Sequence, residues 1–111
     1  MDLPEVTERL SHGAPTWFIR DKKTFVMFHH DHHGDGILGI WVAAPPGAQE
    51  SHIADDPSRY YRPAYVGHRG WVGVRLEGKP NWDEVEVVIE DAYRTVAPAK
   101  LLAVLDAQSF S

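Results

Sequence analysis

Four of the seven histidines fall in one run, His29-His30-Asp31-His32-His33. In an extended strand, residues two apart share a face, so His30 and His32 can both reach one Zn²⁺, Ni²⁺ or Cu²⁺ ion. Asp31 or Asp35 could add an oxygen. A dedicated metal site also needs a ligand from elsewhere in the chain, and no spacing identifies one. The Gly34-Asp35-Gly36 that follows has the chemistry of a tight turn. The run therefore reads as a polar hairpin end. His30, His32 and His33 are subsidiary metal candidates, and no cofactor is expected.

A second constellation runs from Arg59 to Arg75, RYYRPAYVGHRGWVGVR, and interleaves cations with aromatic rings and glycines. Guanidinium groups attract phosphate, and aromatic faces stack on bases. The candidate contacts for a nucleic acid or a small anion are Arg59, Arg62, Tyr65, His68, Arg69, Trp71 and Arg75, with Trp41 from the preceding apolar strand. A structural reading stands beside this one. Tyr60, Tyr61 and Tyr65 can fill the edge of a core, and Arg62 and Arg69 can pair with acids on the last helix. In a third arrangement, Trp17, Trp41 and Trp71 share a sheet face and line an apolar pocket. His68 and Arg69 at its rim would then fix an acidic small molecule.

Charge narrows these options. The net charge is −5, but residues 58–79 carry five bases (Arg59, Arg62, Arg69, Arg75, Lys79) against one acid, Glu77. Residues 1–57 carry nine acids and four bases, and residues 80–111 six acids and two bases. Phosphate contacts would come from this middle patch, against an unfavourable overall field. The chain has no cysteine, which removes disulfides, thiolate nucleophiles and Cys-type metal sites. It has no P-loop, G-x-G-x-x-G, G-x-S-x-G or H-E-x-x-H, so a non-enzymatic role is expected. No apolar run approaches ~18 residues, and the start, MDLPEVTERL, lacks the pattern of a leader. A cytoplasmic protein without a membrane partner is the expectation.

These residues need elements to hold them. Thr16–Arg20 and Thr24–His30 read as strands of a hairpin. Ile37–Ala43 is nearly all apolar and reads as a central strand buried on both faces. Pro45-Pro46 ends it, and residues 46–55 read as a short helix. Arg59–Gly67 is extended, with Pro63 marking an edge strand or a loop. Trp71–Leu76 alternates as a strand. Asn81 is a good N-cap, with Glu84 three residues on. Trp82, Val85, Ile89, Ala92 and Val96 then form an apolar helical stripe. Pro98 breaks this helix before a further helical turn or two. The sum is one α+β domain over 1–111, with about five mostly antiparallel strands and helices on one face.

The ordered segments SHGAPTWFIRDKKTF, HHGDG, APPGAQE, DPSRYYRPAYVGHRGWVGVRL and WDEVEVVIEDAYRTVAP resemble the MmcQ/YjbR family of small bacterial proteins. The resemblance runs from about Leu3 to about Leu102, and Asp56 to Leu76 is its most specific part. It implies a compact fold of a helix, three strands, a helix, two strands and a helix, and a DNA-binding role. Two departures stand out. Only Met1-Asp2-Leu3 precede the segment LPEVTE, so the family's first helix is expected to be mostly absent. A sheet face left uncovered in that way would suit a homodimer. Ser51-His52 also makes the short helix more polar than is usual for relatives.

Overall fold

A computed structural model describes residues 3–11, 13–31, 34 and 36–109. One antiparallel sheet carries six strands among the described residues: β1 (Val6–Ser11), β2 (Ala14–Ile19), β3 (Lys23–His30), β4 (Leu38–Val42), β5 (Tyr60–Tyr61) and β6 (Val72–Arg75). Their spatial order is β1-β2-β3-β4-β6-β5. Three helices accompany them: α1 (Ala48–Asp55), α2 (Trp82–Val96) and α3 (Ala99–Ser109). The α+β class holds, with one strand more than the sequence pattern predicts. The extra strand, β1, is a mostly exposed edge strand, VTERLS, with no apolar alternation to reveal it.

β1 supports the turn between β2 and β3. Arg20 and Asp21 both have positive φ there, 53° and 58°, as a type I′ hairpin turn requires. Neither is a glycine, and side chains from β1 and from Glu5 just before it hold both. Arg9 and Thr7 donate to Asp21 Oδ1 at 2.6 and 2.7 Å, and Glu5 pairs with Arg20 at 3.3 Å. These pairs are about half exposed, so each contributes little alone.

Cross-strand pairing sorts the sheet into two faces. Trp17, Val26, Val42 and Val72 lie in register on one. Thr16, Met27, Trp41, Gly73 and Tyr61 lie in register on the other. Between β2 and β3 the register slips, and Phe25 becomes an unpaired extra residue. This bulge turns Phe25 and its neighbour Val26 toward α2, where the Phe25 ring stands edge-on to Tyr93 at 5.7 Å. Val42, Val72 and Val74 are completely buried, so β4 is the central strand that its apolar run predicts.

α2 begins as expected. The Asn81 side chain accepts hydrogen bonds from the backbone N–H groups of Asp83 and Glu84. Its buried stripe, however, is Val85, Val88, Ala92 and Tyr93. Trp82 is 62% exposed, and Ile89 and Val96 are only half-buried. The helix is rotated from the expected stripe so that the Tyr93 hydroxyl reaches Pro4 O at 2.7 Å. α3 adds Leu101 and Leu105 to the core, and Arg94 ties it to α2 through Asp106 at 3.0 Å.

The face turned away from α2 is paved by flat-lying side chains. Tyr61 lies over Gly73, where any Cβ would run into the ring. Its hydroxyl accepts from Trp41 Nε1 at 3.0 Å. The His29 ring tilts over Trp41 at 3.9 Å, and the Arg75 guanidinium sits 4.8 Å from the centre of the Tyr61 ring. Arg9 covers Phe18 in the same way at 3.8 Å.

Three outcomes are expected. Asn81→Ala removes two capping bonds and should lower stability by about 1 kcal/mol in urea unfolding, with Asn81→Asp retaining most of it. Gly73→Ala should cost about 1–3 kcal/mol, because Tyr61 must leave its place. Burial, with a smaller contribution from Glu5, holds the Tyr93 phenol above its ordinary value, and burial with nearby Glu84 and Asp56 does the same for Tyr60. Both favour the neutral form in the fold, so stability should be intact below about pH 10 and decline as pH rises beyond it. Tyr93→Phe should lower the midpoint and also flatten that alkaline slope.

Candidate functional site

The cations of the 59–75 segment divide by role. Arg59 is half-buried, and its Nη1 donates to Arg75 O at 2.6 Å and Glu77 O at 3.0 Å. Arg75 lies over Tyr61 and donates to Pro57 O at 3.4 Å. These two arginines pin the ends of β5 and β6 together and are structural. Arg62, His68 and Arg69 are exposed on the connection between those strands.

That connection is built from the inside. Pro63, Val66 and Gly67 are buried beneath it. Gly67–Arg69 forms one 3-10 turn, closed by Gly70 at φ 86° with its N–H on Gly67 O. Gln49 on α1 is almost fully buried, and its Nε2 donates to Gly67 O at 2.8 Å and Trp71 O at 2.5 Å. One side-chain amide thus grips the loop at both ends of the turn. Nothing in the sequence singles out this glutamine: α1 has little amphipathic pattern, and a polar residue there reads as surface.

Tyr65 occupies the tip. Its φ is 62°, a left-handed conformation uncommon for an aromatic residue, and it is 69% exposed. Arg62 folds its stem along Gly67, and the Arg69 guanidinium lies 5.4 Å from the Trp71 ring centre. The alternative reading, in which Arg62 and Arg69 pair with acids on the last helix, is not seen among the described residues. Among the described residues the salt bridges are Arg9–Asp21, Arg20–Glu5, Arg94–Glu90 and Arg94–Asp106, and none involves this loop. Arg62, Tyr65, His68 and Arg69 therefore form one exposed basic-aromatic surface.

The tryptophans do not share a pocket. Trp17 and Trp41 take opposite sheet faces, and the buried Trp71 precedes β6. Trp41, at 3% exposure beneath His29 and bonded to Tyr61, offers no contact surface. The parity of a strand residue follows the register of the sheet, and the bulge at Phe25 lies between these positions. Trp17 instead helps line a cleft of about 440 Å³ between the sheet and the N-terminal half of α2. A smaller cleft of about 320 Å³ between α1 and α2 is lined by acids and by Tyr60, on which His52 stacks at 4.6 Å.

Among the described residues, no three His, Asp or Glu side chains are grouped to hold a metal ion. His32, His33 and Asp35 lie outside the described residues, and His30 is exposed at the end of β3. Asp31 acts as a turn residue: its Oδ1 accepts from Gly36 N at 2.7 Å, and its N–H donates to Ile37 O at 2.9 Å. No helix among the described residues is long and apolar enough to cross a membrane.

The YjbR family model matches residues 1–95. No curated protein and no solved structure matches the chain. The family match covers most of the 111 residues, including the whole loop from Arg62 to Gly70: the chain belongs to the YjbR family.

Proposed function

We propose that this YjbR-family chain is a non-enzymatic binding domain that contacts DNA through Arg62, Tyr65, His68 and Arg69. The observation that carries the reading is the state of its two arginines. Arg62 and Arg69 are exposed, lie on one short anchored loop, and have no acid partner among the described residues. A guanidinium without a carboxylate is free to take a phosphate in the bidentate geometry it favours. Tyr65, exposed at the tip, places an aromatic side chain within reach of an unpaired or splayed base. The net charge of −5 disfavours any contact that is not centred on this loop. Binding should therefore be modest in affinity and steep in salt.

Fluorescence anisotropy with labelled duplex and single-stranded oligonucleotides, titrated from low to physiological salt, tests this reading. Binding should be saturable at low salt, and Arg62→Ala with Arg69→Ala should reduce the salt slope by about 2. Tyr65→Ala should weaken single-strand binding by about 1–3 kcal/mol and leave the salt slope unchanged. Absence of saturable binding to either oligonucleotide at low salt would refute the proposal.

A further inference from the structure

We propose that the cleft beneath α2 is a second, independent site that binds a small apolar molecule carrying a positively charged amine. Its volume of about 440 Å³ falls in the range of small-molecule sites. Leu3 and Val6 form one wall, Trp17 and Phe25 contribute aromatic surface, and Val85 and Ile89 of α2 close it from above. The cleft has a physical origin. The buried stripe of α2 turns toward Val88 and Tyr93, which leaves Trp82 exposed and Ile89 only half-buried at the edge of the core. The bulge at Phe25 widens the aromatic floor by bringing two successive side chains to this face.

The charge at the cleft selects the occupant. Among the described residues, Glu86 is the sole ionisable side chain in its lining. The same helix also carries Asp83, Glu84, Glu90 and Asp91 against one base, Arg94, so its net charge is negative. An ammonium group meets the Glu86 carboxylate and the faces of Trp17 or Trp82, which favour cations. A carboxylate or phosphate would meet repulsion there. None of Arg62, Tyr65, His68 or Arg69 lines this cleft, so the site stands or falls apart from the loop.

The test uses a matched trio of probes, 4-phenylbutylamine, 4-phenylbutanol and 4-phenylbutyrate, titrated into the full chain. Indole N–H resonances of Trp17 and Trp82 are followed by NMR, and mass is followed by light scattering. The amine should shift both resonances saturably and bind about tenfold more tightly than the carboxylate, equivalent to about 1.4 kcal/mol. Glu86→Gln should erase that preference while the alcohol binds as before. Ile89→Trp should fill the cleft and abolish amine binding, with Val6→Trp as the second variant should the first not fold. Three results would overturn the assignment: no saturable shift with the amine, equal affinity for amine and carboxylate, or a doubled mass whose dimer contact involves Trp82 and excludes the amine.

Discussion

The pairing of β4 with β6 is the constraint on which the other features rest. These strands are not consecutive, yet Ile40, Val42, Val72 and Val74 meet in register, and three of the four are completely inaccessible to solvent. Joining them requires the intervening chain to leave the sheet and return. The excursion carries α1, β5 and the 62–70 loop, and Gln49 secures its return by bonding to the carbonyl just before β6. The exposed cations sit where they do because the route back to the central strand passes beneath them.

What the sequence reveals follows from how local each determinant is. The β2–β3 hairpin, the apolar central strand and the Asn81 cap depend on neighbouring residues, and each is readable from a few positions. β1 is not readable, because an edge strand with polar side chains on both sides has no periodicity to show. The face taken by each tryptophan depends on register across several strands and on one extra residue at Phe25. The stripe of α2 is displaced toward Tyr93, whose hydroxyl bonds to Pro4, a partner at the far end of the chain. The same distinction separates the arginines. Arg59 and Arg75 look like Arg62 and Arg69 in sequence, and the carbonyls that engage the first pair become visible only when the strands are assembled.

The two surfaces have opposite electrostatic character within one small domain. The loop gathers guanidinium groups that lack acid partners among the described residues, whereas α2 sets the Glu86 carboxylate at the edge of an apolar cleft. An anion approaching the molecule is drawn toward one and turned away from the other. If both proposed sites hold, the surface is divided by ligand charge without any motion of the fold.

Tyr61 has a consequence for the binding proposed at the loop. Its ring fills the space left by Gly73, and its hydroxyl is tied to Trp41, so a strand of only two residues is fastened by a side chain more than by its ladder. With Gln49 at the other end, the segment is clamped before anything binds. Ordering a free loop of this length on contact would cost backbone entropy residue by residue. Here most of that entropy is already lost when the domain folds, so a ligand has to immobilise little more than the outer side chains.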